Sequence, residues 1–400
     1  MHDTIIVGAG PVGSYLAEKL ARHGHRVLVL EKKPDTGEEV CCTGIVGKEC
    51  LDLLSIDKNL ILNKANSAIF ITASGKSLRL WRNEDVAYIL DRPALNRALA
   101  QRARTAGATY CLQTQVTNIQ HDSNRVCVHA SQQGKPESFE AQTAVVATGF
   151  GSPLPAMLGL GKINDSIIGA QAKVQVKGVD EVELYIDHKL APDGFAWLVP
   201  TKDGKGLAGM MTRQQPKKHL RQLLTSLKAQ GKITSEDAPC GYGVIPLLPL
   251  PRTYANRILA VGEVAGQVKP TTGGGIYYGL LCADIAADTL SRALATNDFS
   301  ASLLASYQKQ WQAKLKRELS IGYLAHRMFR DLGNKQLEML LNFANSFSIP
   351  KLITESRDFS FDWHGRLILN ILRQLILGFP AQGIASFSKQ PKKHNQTIPI

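Results

Sequence analysis

A glycine-rich turn close to the start of the chain constrains its fold more than any other feature. Thr4-Ile5-Ile6-Val7 reads as a buried strand, Gly8-Ala9-Gly10-Pro11-Val12-Gly13 follows it, and a helical pattern runs on through Leu16, Leu20 and Ala21. A second apolar strand, Arg26 to Leu30, ends at Glu31, 18 positions after the third glycine. Strand, turn, helix, strand and acid in that order form a dinucleotide-binding fingerprint. Gly8 permits the tight turn, Gly10 lets a pyrophosphate approach the backbone, and Gly13 lets helix and strand pack closely. The helix N-terminus offers free N–H groups and a partial positive charge to the phosphates. Glu31 would accept hydrogen bonds from ribose hydroxyls and repel a 2′-phosphate. This unit alone does not separate NAD from FAD.

A second glycine-rich turn lies about 250 residues later. Arg257 to Val261 reads as a strand, followed by Gly262-Glu263 and then by the loop Pro270-Thr271-Thr272-Gly273-Gly274-Gly275, which runs into a helix from Ile276 to about Leu294. An acid just after a strand can hold ribityl hydroxyls, and a triple-glycine loop opening a helix can bring N–H groups against an electron-rich ring. A simple NAD domain has no need of this second turn. A long dinucleotide held from two ends does, so the pair of motifs points to FAD.

These segments, together with Tyr88-Ile89-Leu90-Asp91-Arg92 and Val145 to Gly149, resemble the para-hydroxybenzoate hydroxylase-type FAD enzymes. More narrowly, the chain resembles the geranylgeranyl reductase family. Cys42-Thr43-Gly44 follows the first unit, Phe195-Ala196-Trp197-Leu198-Val199-Pro200 precedes Gly209, and Tyr307, Trp311 and Lys316-Arg317-Glu318-Leu319 match its helical C-terminal part. The resemblance covers roughly residues 1 to 325 and leaves the last 75 without a counterpart. There are departures: Phe195 and Val199 replace Tyr and Phe of a Y-x-W-x-F-P motif, Thr148-Gly149 replaces Asp-Gly, Glu263 replaces Asp, and Asn96 stands where Asp is frequent.

The resemblance implies FAD contacts at Gly8, Gly10, Pro11, Gly13, Glu31, Lys32, Gly44, Arg92, Val116, Gly262, Glu263, Gly274, Gly275 and Ile276. It implies a catalytic role near the flavin for Cys42, with Cys41 beside it, and a substrate pocket at Phe195, Trp197 and Pro200. The implied reaction is hydride transfer from reduced FAD to carbon–carbon double bonds of a geranylgeranyl or related prenyl chain, in a prenylated lipid or prenyl diphosphate. NAD(P)H or a ferredoxin would reduce the flavin. The alternatives are a flavin-dependent monooxygenase or halogenase on the same fold, and a non-catalytic prenyl-binding protein. The W-x-W-x-I-P run expected of a halogenase is absent.

The expected fold is α/β: a Rossmann-type FAD-binding domain in three pieces (1–65, 90–160 and 250–300) with an inserted mixed β-sheet substrate domain (66–89 and 161–249) and a helical C-terminal region, 301–400, with a basic tail. Asp91 to Ala106 reads as a helix, and Val126 to Ala130 and Ala144 to Ala147 as strands. Ala172 to Val176 and Val182 to Ile186 alternate as strands with one wet face.

The net charge is +13, and residues 301–400 carry 14 Lys or Arg against 6 acids. A basic excess suits an anionic partner, and a lipid surface explains it more simply than nucleic acid. In the helical stretch Arg366 to Leu377 the polar residues Arg366, Asn370, Arg373 and Gln374 form one stripe and the rest is apolar, as in a packed or interfacial helix. Residues 388–400 read as a disordered tail. Seven cysteines without a C-x-x-C pair or a zinc spacing suit a reduced cytoplasmic protein without a metal, peripherally membrane-associated at most. No signal peptide precedes the first strand and no apolar run is long enough to span a bilayer.

Overall fold

The computed structural model describes residues 1–38, 41–346 and 359–378, in which three sheets organise the chain. The first combines β1 (His2–Val7), β2 (Val27–Leu30), β8 (Thr109–Cys111), β9 (Thr114–His121), β10 (Val126–Gln132), β11 (Lys135–Val146), β17 (Tyr254–Ala255) and β18 (Ile258–Ala260). Its parallel centre runs β18-β11-β1-β2-β8. The strand read at Ala144 to Ala147 is the end of the much longer β11, which serves twice: its first half pairs antiparallel with β10, and Ala141 to Val146 pair with β1.

Side chains alternate across a strand, and here both faces are apolar, which makes the central strands continuous apolar runs. Ile6, Val27, Val29 and Val145 face α1 (Pro11–Arg22), α3 (Arg92–Thr105), α6 (Ile276–Thr296) and α7 (Ala301–Asp331). Ile5, Val7, Leu28, Leu30, Ala144 and Val146 face the other way, onto a core that includes Val126, Val128 and the short helix α4 (Leu154–Met157).

The second sheet has the order β16-β12-β15-β14-β13-β5-β6, drawn from β5 (Ser67–Thr72), β6 (Ser77–Trp81), β12 (Ser166–Gln175), β13 (Val182–Ile186), β14 (Ala196–Pro200), β15 (Lys205–Thr212) and β16 (Cys240–Pro246). It is antiparallel except where β13 meets β5. Helix α5 (Pro216–Ala229) buries Leu220, Leu223, Leu224 and Leu227 on one face, against Ala170, Ala196, Leu198, Ala208 and Met210. The period of two then places Gln171, Trp197, Gly209 and Met211 on the opposite face. A third, antiparallel sheet joins β3 (Ile45–Gly47), β7 (Ala87–Leu90) and β4 (Ile61–Ala65). Helices α2 (Lys48–Leu54), α8 (Asn334–Ser346) and α9 (Gly365–Gly378) complete the described strands and α-helices. No described helix is long and apolar enough to cross a membrane. In α9 Arg366, Asn370 and Arg373 are exposed, while the Gln374 side chain and the basic tail lie outside the described residues.

Helix α7 lays a ridge of Leu304, Tyr307, Trp311, Leu315, Leu319, Gly322 and His326 on the core, at the three-and-four spacing of one helical face. His326 is 5% exposed and its Nε2 has no partner. Burial, and next the charge of Arg213, push its pKa down to about 4; Arg330 adds to this, while Asp165 and Asp193 oppose it. The native state therefore holds this ring neutral, whereas the unfolded chain takes up a proton near pH 6.5. Stability is complete above pH 6.5 and falls toward pH 4, by about 3 kcal/mol from this group. Urea midpoints measured from pH 7 to pH 4.5 should fall less steeply for His326→Leu than for the parent chain. Equal slopes would place that titration elsewhere.

Candidate active site

The first turn is built as its residues require. Gly8 sits at φ +108°, and a Cβ there would lie 2.5 Å from the Ala147 carbonyl oxygen. At Gly13 a Cβ would lie 2.0 Å from the Gly8 oxygen, so α1 crosses the turn at backbone contact. A Cβ at Gly10 would meet nothing within 4 Å, which leaves the space open in front of the α1 N-terminus, where Pro11 starts the helix. Glu31 accepts from the Ala9 N–H at 2.7 Å and the Lys33 N–H at 3.0 Å. Each carboxylate oxygen keeps capacity for a ribose hydroxyl. Beside it lies a cavity of ≈ 240 Å³ lined by Gly8, Glu31, Lys32, Val116, Thr148 and Phe150 among others.

Val12 brings the two glycine motifs together. It packs on Gly262, and a Cβ at Gly279 of α6 would lie 2.5 Å from its Cγ2. Gln267, fully buried, accepts from the Gly262 N–H at 2.7 Å and donates to the Tyr307 hydroxyl at 2.9 Å, which donates to the Ala260 carbonyl at 3.1 Å. This chain of bonds ties the second turn to α7. Glu263 is exposed at its surface yet closely walled by protein. That burial raises its carboxyl pKa, against the charge of Arg92 and the Phe150 N–H. Arg92 opens α3 behind Asp91, whose carboxylate accepts from the Ala94 N–H at 3.0 Å. Arg92 is only 7% exposed, and its Nε and Nη1 have no partner. A buried guanidinium with idle donors fits an anionic or carbonyl-bearing ligand in the cleft. The backbone cradle, Glu31, Glu263 and Arg92 thus suit a flavin dinucleotide.

The second sheet meets residues 41–44 with the face opposite α5. Thr43 donates to Gln171 at 2.8 Å, and a Cβ at Gly241 of β16 would lie 3.3 Å from the Cys41 Sγ. The Gly44 N–H donates to the Cys42 Sγ at 3.4 Å, and Gly44 itself packs on Arg92. Burial, then Cys42 and Glu263, push the Cys41 thiol up to about 11, so it stays protonated at neutral pH. Phe195 and Trp197 sit with ring centroids 5.9 Å apart, and Gly209 leaves room for the Trp197 ring, with a Cβ position 2.6 Å from it. Both rings are half-buried beside Met211 and Ile245, which in turn touch Gly273 of the second glycine-rich turn. Pro200 ends β14, and its carbonyl accepts from Asn63 at 3.0 Å. Gly274 rests on the Lys269 side chain, and Gly275 caps Ile276 at the start of α6. All seven thiols are free, and no group of described residues is arranged to hold a metal ion. Gln267, Lys269 and the cavity residues Phe150 and Ser152 go unread in the sequence, where only their closeness to the second glycine motif and to Val145–Gly149 could have flagged them.

Residues 3–348 match the model of a family described as lycopene cyclase protein. The chain is 29% identical to digeranylgeranylglycerophospholipid reductase 1 of Methanococcoides burtonii over 85% of its length and 86% of the relative's. It is 26% identical to the digeranylgeranylglycerophospholipid reductase of Methanocaldococcus jannaschii, over 85% and 90%. Among solved structures, a geranylgeranyl bacteriochlorophyll reductase-like protein of Thermoplasma acidophilum superposes with a TM-score of 0.82 at 21% identity, covering 96% of this chain and 99% of that one. The p-nitrophenol 4-monooxygenase of Pseudomonas putida gives 0.70 at 16% identity, over 95% and 97%. The chain belongs to the lycopene cyclase protein family.

Proposed function

We propose that this protein is an FAD-dependent reductase that saturates carbon–carbon double bonds of a geranylgeranyl or related prenyl chain carried by a lipid or lipid precursor. The observation that carries this reading is the meeting of the half-buried Phe195–Trp197–Met211–Ile245 surface with Gly273 of the flavin loop, an apolar wall beside a two-ended dinucleotide cradle. The curated relatives named for reduction of a digeranylgeranyl glycerophospholipid support it. FAD, when bound, supplies the hydride for one alkene carbon. Glu31, Arg92 and Glu263 hold the cofactor, while the aromatic wall aligns the chain and excludes water. An isolated alkene also needs a proton at its other carbon. Cys42 is our candidate donor, and Cys41, held protonated against the substrate sheet, stands next to it. Burial of a prenyl chain contributes about 0.8 kcal/mol per CH₂.

Such a substrate resides in a membrane. The basic C-terminal quarter and the exposed Arg366 and Arg373 of α9 support peripheral contact with an anionic surface. NAD(P)H or a ferredoxin is the proposed electron source.

Anaerobic reduction of the purified protein by dithionite should bleach its flavin bands. Adding a geranylgeranyl glycerophospholipid should restore them and yield a lipid heavier by two hydrogens per turnover. Restoration by oxygen alone, with a hydroxylated or halogenated product, would favour the monooxygenase or halogenase reading. That reading draws support from neighbours such as the p-nitrophenol 4-monooxygenase.

A further inference from the structure

The family match ends at residue 348, yet residues beyond it reach the underside of the flavin loop. Asp362 is 1% exposed and Lys269 4% exposed. The Lys269 Nζ lies 3.2 Å from Asp362 Oδ1 and 3.3 Å from the Phe361 carbonyl oxygen, to which it donates. The same carboxylate oxygen accepts from the N–H of Gly47 at 3.3 Å. Gly47 ends β3, the strand that continues directly from Cys42-Thr43-Gly44. Its lack of a side chain makes the contact possible, because a Cβ there would lie 2.4 Å from Asp362 Oδ2.

Lys269 in turn closes the loop, donating its N–H to the Gly274 carbonyl at 3.0 Å and accepting from the Gly273 N–H at 2.9 Å. A second tie runs in parallel. The Thr271 hydroxyl lies 2.7 Å from His364 Nδ1, and His364 Nε2 lies 2.8 Å from the Phe361 carbonyl oxygen. A carbonyl only accepts, so Nε2 carries the proton and Nδ1 accepts from Thr271. Burial, with the Lys269 charge next, lowers the His364 pKa to about 4, which keeps the ring in this neutral form. Glu318 of α7 holds the backbone N–H groups of His364 and Gly365, while the Trp363 indole donates to Glu49 at 2.6 Å. The loop itself, with one proline, two threonines and three glycines, has little apolar surface of its own and a high entropy cost of ordering.

We propose that residues 359–365 form a clasp that positions the flavin loop, with Asp362 as its positioning residue. A single carboxylate ties Lys269, and through it the loop up to Gly275, to β3 and the cysteine segment. This assignment rests on the FAD reading above for what the loop holds.

The test uses the full chain with Asp362→Ala and, because a buried lysine left unpaired could cost the fold, Gly47→Ala as a second variant. Gly47→Ala keeps both charges and displaces the carboxylate. Amide hydrogen exchange on the flavin-free proteins reads residues 266–276 against a control in β12, and titration reads FAD affinity. Both variants should show at least tenfold faster exchange in the loop, unchanged exchange in β12 and at least tenfold weaker FAD binding. Unchanged loop exchange in Gly47→Ala overturns the clasp. Faster exchange with unchanged FAD affinity overturns it equally, since the ties would then serve only the stability of the loop. A parent chain that binds no flavin sinks the FAD reading instead, and the clasp is then judged on exchange alone.

Discussion

Gly13→Ala is expected to purify without flavin. The added methyl would stand 2.0 Å from the Gly8 oxygen and 3.1 Å from its carbonyl carbon, both backbone atoms with no rotamer to change. Relief requires α1 to move off the turn, which withdraws its N-terminal N–H groups from the phosphates and loosens Val12 from Gly262 and Gly279. The overpacking should cost the apoprotein about 3 kcal/mol, and FAD affinity should fall by about a hundredfold or more. Gly10→Ala is the informative contrast, because its Cβ meets no protein atom within 4 Å. It should lose FAD affinity with the apoprotein melting point unchanged. A Gly13→Ala protein that keeps both flavin and stability would show that the turn does not need this close crossing.

Arg92→Met is expected to move stability and cofactor affinity in opposite directions. The guanidinium is buried with Nε and Nη1 idle, so the apoprotein bears an incompletely paired charge. Methionine fills similar length without that cost, and the melting temperature of the apoprotein should hold or rise. FAD binding should weaken by about 30- to 150-fold, the loss of roughly 2–3 kcal/mol carried by charge-assisted hydrogen bonds. Arg92→Lys should not restore it, because a point charge cannot replace two fixed donors. The Glu263 carboxyl, already raised by burial, should rise further once Arg92 is gone. A drop in melting temperature with unchanged FAD affinity would assign Arg92 to the fold.

What could be read from the sequence follows from distance along the chain. The first turn was legible because Gly8, Gly13 and Glu31 act within one βαβ unit, where spacing and geometry are nearly the same thing. The second turn was legible for the same local reason. Their meeting through Val12 was not, since nothing in either motif encodes the other's place. Helix α5 is a plain omission: Leu220, Leu223, Leu224 and Leu227 carry the helical spacing openly. The partnership of β5 with β13 joins segments more than a hundred residues apart and leaves no local mark. Lys269 read only as a residue between two motifs, because the carboxylate that explains it lies 93 positions away. Cys42 and Cys41 meet different partners, the Gly44 N–H on Cys42 Sγ and Gly241 of β16 on Cys41. Adjacent residues in an irregular segment point to different sides, and pattern alone does not say which.

The order of strands in the first sheet has a consequence for biosynthesis. β1 and β2 emerge from the ribosome first, but the other edge of β1 is closed by Ala141 to Val146, and the far edge of that strand by Ile258 to Ala260. At roughly 5–20 residues per second, many seconds of translation separate the first strand from the last of its parallel neighbours. Until then an apolar edge stays unpaired, open to chaperones and to other nascent chains. A fragment that stops before residue 260 also lacks α6 and α7, which with α1 and α3 cover one face of the sheet. The dinucleotide cradle is therefore begun by β1, α1 and β2 and finished only when α6, some 250 residues further on, has left the exit tunnel.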